Sequence, residues 1–157
     1  MRREDLTLDV RDVGWVEDDE SPRQPTVVID VEADVGAEIR ERLSAPDGEL
    51  LDAGQTDVAF RLLGDVDAGG AAGVVSVTDR VTGDFVLELN EDADDVLRFI
   101  RAARRYGERT DADGEYRVVI RVDGEELVTY GKNTFLVYDR DGDLLREHSL
   151  IPGGVEL

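Results

Sequence analysis

Residues 82–107 read Thr-Gly-Asp-Phe-Val-Leu-Glu-Leu-Asn-Glu-Asp-Ala-Asp-Asp-Val-Leu-Arg-Phe-Ile-Arg-Ala-Ala-Arg-Arg-Tyr-Gly, and the change of period inside this stretch decides the fold. Phe85, Leu87 and Leu89 alternate with Val86 and Glu88, the period of a strand. Val96, Phe99, Ile100 and Ala103 then recur at i, i+3, i+4 and i+7, the apolar stripe of a helix. The spacing predicts a strand over 84–89 and a helix over 91–107. Asn90 is the expected N-cap, Glu91, Asp92, Asp94 and Asp95 fill the first turn, and Gly107 sits where a C-cap glycine belongs. Arg98, Arg101, Arg104 and Arg105 fill the later turns, so both ends oppose the helix macrodipole.

Working upstream, residues 74–81 alternate and pair with 84–89 as a hairpin through Thr82-Gly83. Residues 64–73 are a glycine-rich connection. Val58, Phe60 and Leu62 mark a strand. Val35, Ile39 and Leu43 mark a short helix over 35–44, with Asp34 as N-cap and Pro46-Asp47-Gly48 ending it. Strands are predicted over 26–32 and over 5–13, the latter on Leu6, Leu8 and Val10.

Downstream, Tyr116, Val118, Ile120 and Val122 alternate, and Asp123-Gly124 turns the chain into 126–130. Strands over 134–139 and 143–149 are joined by Asp139-Arg140-Asp141-Gly142-Asp143, and residues 151–157 form a C-terminal tail. Most joins have hairpin length. The chain therefore reads as one α+β domain, 1–157, with a largely antiparallel sheet of about nine short strands, one long helix and one short helix. The long helix leaves room for one parallel crossover between 84–89 and 116–122.

Composition bounds the rest. Leu, Ile, Val and Phe are 46 of 157 residues, above the roughly 20% below which high charge signals disorder. With no cysteine, disulfides, thiolate metal sites and a Cys nucleophile are excluded. The formal charge is −20, and 17 of the 18 basic residues are Arg, the exception being Lys132. A surface this acidic and this poor in Lys looks like that of a halophilic archaeal protein. At molar salt the Debye length falls to about 3 Å and the self-repulsion is screened. Arg2-Arg3 opens like a twin-Arg signal, but Glu4 and Asp5 follow without an apolar stretch. No membrane segment is expected, and the expected location is cytoplasmic.

Arg98, Arg101, Arg104, Arg105 and Arg109 are five arginines within twelve residues of a strongly acidic chain. At 100° per residue, Arg98, Arg101 and Arg105 share a face, which suits an acidic partner surface or phosphates. The structural alternative is a helix whose arginines cancel its dipole and pair with strand acids such as Asp84 or Glu88. The net charge, the lack of interleaved aromatics other than Tyr106, and the salt sensitivity of phosphate contacts argue against nucleic acid.

The remaining motifs point to ordinary structure. Counted from Asp139, the acidic turn puts Leu144 and Leu150 where a calcium loop needs Gly and Glu. Glu17-Asp18-Asp19-Glu20 reads as a hydrated loop. Gly69-Gly70-Ala71-Ala72-Gly73 lacks the Gly-Lys-Ser/Thr of a phosphate loop. None of the four serines lies in G-x-S-x-G, and His148, the sole histidine, reads as a partly exposed strand residue. Lys132 reads as an exposed turn residue. No metal site, cofactor or catalytic set is expected.

The stretches 82–90 (Thr-Gly-Asp-Phe-Val-Leu-Glu-Leu-Asn), 95–107 (Asp-Val-Leu-Arg-Phe-Ile-Arg-Ala-Ala-Arg-Arg-Tyr-Gly) and 148–157 (His-Ser-Leu-Ile-Pro-Gly-Gly-Val-Glu-Leu) are similar to a family of small, acidic haloarchaeal proteins of unassigned function. That resemblance carries no activity or site residue to transfer. The leading expectation is a non-catalytic interaction domain that binds a protein through the face 98–109. The alternatives are an enzyme or small-ligand binder with carboxylates in a sheet–helix pocket, and nucleic-acid binding by the arginine helix. A homodimer through edge strands or the helix face is a further expectation.

Overall fold

The computed structural model describes residues 5–18, 20–64, 71–110 and 115–151. The readings made on Arg2 and Arg3, on Asp19, on positions 65–70 of the glycine-rich connection and on the tail beyond Ile151 lie outside the described residues. In chain order the elements are β1 (Leu6–Arg11), α1 (Trp15–Asp18), β2 (Thr26–Val31), α2 (Gly36–Arg42), β3 (Thr56–Leu62), β4 (Ala72–Asp79), β5 (Phe85–Asp92), α3 (Ala93–Thr110), β6 (Tyr116–Val122), β7 (Glu125–Lys132) and β8 (Leu136–Tyr138). Single 3-10 turns lie at Ala33–Val35, Ala53–Gln55 and Arg146–His148.

The α+β class holds, but the strands divide into two four-stranded sheets, ordered β1-β2-β6-β7 and β5-β4-β3-β8. Pairing is antiparallel except between β2 and β6 and between β3 and β8. The expected crossover does not form: α3 leads from β5 in one sheet to β6 in the other. The inward residues of both sheets meet α3 in a common core. Val96 and Phe99 line one interior crevice with Val27, Ile29 and Val118 from the first sheet and Val58 and Val75 from the second. The Phe99 ring meets Tyr116 edge-on at 5.4 Å, and both lie near Phe135, at 6.3 and 5.7 Å. Burial pushes the Tyr116 phenol well above its ordinary pKa, and its hydroxyl donates to the Thr134 carbonyl at 2.6 Å.

The described residues form eight strands rather than nine. Residues 143–149 are not a strand, because side chains and a turn complete the β8 ladder. The Leu145 N–H donates to Val137 O at 2.8 Å, and the Ser149 hydroxyl accepts the Val137 N–H at 2.9 Å. His148 is partly exposed, in a 3-10 turn rather than on a strand. The Asp139 carboxylate accepts the N–H groups of Asp141 and Asp143, both at 2.9 Å, and so serves its own turn. At Asp123-Gly124 both residues have positive φ, 52° and 80°, as a tight hairpin requires.

Both ends of α3 differ from expectation. Glu91 and Asp92 still pair with Gly73 and Ala72, so β5 runs past Asn90 and the helix starts at Ala93. Asp92, not Asn90, supplies the cap: its Oδ1 accepts the Asp94 N–H at 3.0 Å. Gly107 lies inside the helix. A Cβ there would stand 2.7 Å from Glu115 Cδ, so this glycine admits a close side chain instead of ending the helix. Upstream, Asp34 lies within the 3-10 turn that leads into α2, while Ile39 and Leu43 are fully buried.

Lys132 overturns its reading as an exposed turn residue. It is 7% exposed at the end of β7, and its Nζ donates to the carbonyls of Ala53 at 2.7 Å and Thr56 at 2.5 Å. The neighbouring Tyr130 hydroxyl donates to Leu51 O at 2.8 Å. Together they pin the segment before β3 to the outer strand of the other sheet. Desolvation lowers the Lys132 pKa, opposed by the Asp57 charge. Lys132→Met takes the ammonium donor from both carbonyls, with Ala53 O keeping the Thr56 N–H and hydroxyl, and is expected to cost about 1–3 kcal/mol. Denaturant unfolding at fixed KCl checks the loss, and faster amide exchange over 51–56 locates it. Unchanged stability and exchange would contradict the pinning role.

Candidate functional site: the arginine face of α3

The stripe that buries α3 also dictates what it shows to solvent. Ala93, Val96, Leu97, Phe99, Ile100, Ala102 and Ala103 are buried, leaving Arg98, Arg101 and Arg105 exposed on the opposite side. The first turn carries Asp94 and Asp95 and the last carries Arg109, the arrangement that the helix dipole favours.

The five predicted arginines are brought to one helix but do different work. Arg98 grips Glu17 of α1 with two hydrogen bonds, Nε to Oε1 at 2.8 Å and Nη2 to Oε2 at 2.7 Å. The partner carboxylate is thus Glu17 rather than Asp84 or Glu88. Arg104 is half-buried and donates through Nη2 to Ser149 O at 2.7 Å, tying α3 to the segment after β8. The Arg109 guanidinium lies over the Trp15 ring, 5.8 Å from its centroid. Arg105 reaches Glu108 only at 4.0 Å. Arg101 makes no hydrogen bond or ion pair within 4 Å among the described residues; its charge acts at longer range on Glu17.

Sequence reasoning missed α1 and its docking on this face. Trp15 is fully buried, donates from Nε1 to Asp12 O at 2.6 Å, and meets Tyr106 edge-on at 6.5 Å. The signal was present: the chain's single tryptophan stands two residues before the acidic run. Hydrogen bonding from Arg98 holds the Glu17 carboxyl below its ordinary pKa, with Arg101 adding a smaller effect.

Beside the N-terminal half of α3 lies a depression of about 240 Å³, lined by Leu8, Asp9, Val10, Val13, Glu91, Asp95 and Arg98. Burial raises the Glu91 pKa, and the Asp95 and Asp92 charges raise it further. A carboxyl raised in the folded state favours folding where it is protonated, and that contribution fades as pH rises through the folded pKa. Glu91→Gln is therefore expected to melt no lower than the parent at pH 7, and its relative gain should vanish below about pH 4. Melting curves of both proteins in constant KCl check this. A Gln variant that loses stability at pH 7 but not at pH 4 would reverse the sign.

No curated protein and no solved structure matches the chain. A family of unknown function (DUF5793) matches it over residues 1–157. The match spans the whole sequence, so the chain belongs to the DUF5793 family of unknown function.

Proposed function

We propose that this protein is a non-catalytic, cytoplasmic interaction module of a salt-rich cell, and that it binds an acidic surface of another protein through α3. One observation carries the reading. Arg101 and Arg105 stand exposed one turn apart on a chain of charge −20, while Arg98, Arg104 and Arg109 are engaged within the fold. Guanidinium suits this task in concentrated salt. With a Debye length of about 3 Å at 1 M, long-range steering is lost and direct two-bond contacts remain. The same screening disfavours phosphate-backbone binding, whose affinity falls steeply with salt.

A second reading is favoured by the depression at Asp9, Glu91 and Asp95. Its three carboxylates beside Leu8, Val10 and Val13, with the Glu91 pKa raised by burial, suit a small polar ligand or carboxylate chemistry.

The test is affinity capture at multimolar KCl with the parent and with Arg101→Glu/Arg105→Glu, both checked for folding by circular dichroism. The expected result is a protein captured by the parent and lost by the variant. Equal capture by both would clear these arginines of the role. Capture of nucleic acid instead, lost as salt rises, would support the phosphate reading. Nothing captured by either bait would move the small-ligand reading to the front.

A further inference from the structure

The arginine face already holds a carboxylate. Glu17 reaches Arg98 from 81 residues away in sequence, and its two oxygens take two N–H groups side by side. This is the paired geometry in which arginine recognises any Asp or Glu side chain. The turn that carries Glu17 is fastened at its other end. Trp15 is fully buried, with its indole N–H bonded to Asp12 O and its ring against Tyr106 and Arg109. Glu17 itself has a side chain 55% exposed, facing an Arg98 side chain 44% exposed. An ion pair so open to water has little net worth, so its carboxylate exchanges readily. Anchor and head are thus separate: Trp15 positions the turn, and Glu17 can leave Arg98 without undocking it.

We infer that Glu17 is an internal stand-in for a partner's carboxylate, and that an acidic peptide segment binds α3 by displacing Glu17 and joining Arg98 to Arg101 and Arg105. This rests on the reading of α3 as a protein-binding face and names its partner's chemistry: at least two neighbouring Asp or Glu side chains. A single carboxylate gains only what Glu17 gives up at Arg98. A second one, on Arg101 or Arg105, has no comparable internal competitor among the described residues. The stand-in therefore costs a carboxylate at Arg98 a few-fold in affinity, and an acidic cluster that also reaches Arg101 or Arg105 offsets that cost.

The probe is a fluorescein-labelled hexaglutamate peptide, titrated by anisotropy against the full chain at 1 M KCl. The proteins are the parent, Glu17→Gln, Glu20→Gln and Arg101→Glu/Arg105→Glu. Glu20→Gln removes the same single charge from the same segment but lies on Arg23, not Arg98. Glu17→Gln is expected to bind about two- to five-fold tighter than the parent, the range that exposed ion pairs are worth. Glu20→Gln should match the parent, and the double arginine variant should not bind. If the parent binds through Arg101 and Arg105 but Glu17→Gln gains no more than Glu20→Gln, the stand-in is overturned and the helix reading survives. If neither the parent nor Glu17→Gln binds, both fail. A melting curve for each variant confirms that the fold is intact.

Discussion

Phe99 packed against Tyr116 and Phe135 is the contact on which the rest of the architecture turns. It joins α3 to β6 and to the segment entering β8, and so ties both sheets to one helix. Each large apolar side chain buried this way contributes roughly 1.5–3 kcal/mol, and each exposed ion pair about 0–1 kcal/mol. The stripe therefore decides how α3 lies, and the charges follow. Once Val96, Phe99, Ile100 and Ala103 face inward, Arg98, Arg101 and Arg105 face outward by helical geometry alone.

What distinguishes the arginine face is the unequal use of its members. Arg104 is committed to a backbone carbonyl in a half-buried place and Arg109 to an aromatic ring, so both serve the fold. Arg98 is held by an exchangeable carboxylate, and Arg101 and Arg105 contribute little to internal cohesion. Exposed arginines also stand elsewhere, at Arg11, Arg40, Arg80 and Arg117 among others, but α3 sets three of them, Arg98, Arg101 and Arg105, on one helical face. The face is separate from the depression at Asp9, Glu91 and Asp95, although Arg98 borders both.

Local pattern carried much of the fold and little of the site. The alternation at Leu6, Leu8 and Val10, the stripe in α3 and the positive-φ pair Asp123-Gly124 were all legible, because each depends on neighbours a few residues away. Where long-range partners decide, the reading failed. Asp92 rather than Asn90 caps α3 because Ala72 extends the β5 ladder past Asn90. Residues 143–149 follow a hairpin-like turn and read as a strand, yet Ser149 satisfies Val137 with a hydroxyl in place of a strand. Lys132 is buried because two carbonyls about 76–79 residues upstream receive it. The division into two sheets rests on the parallel pairing of β2 with β6, which no hairpin announces. The five arginines stand out in the composition, but which of them Glu17 and Trp15 engage depends on α1 docking against a helix about 80 residues away.

The most direct test of the account is to map by backbone and arginine side-chain NMR where an acidic peptide perturbs the full chain at 1 M KCl. The account predicts shifts confined to Arg98, Arg101, Arg105 and the α1 turn around Glu17. Shifts centred on Asp9, Glu91 and Asp95, or on the sheet faces, with α3 and α1 unmoved, would contradict it.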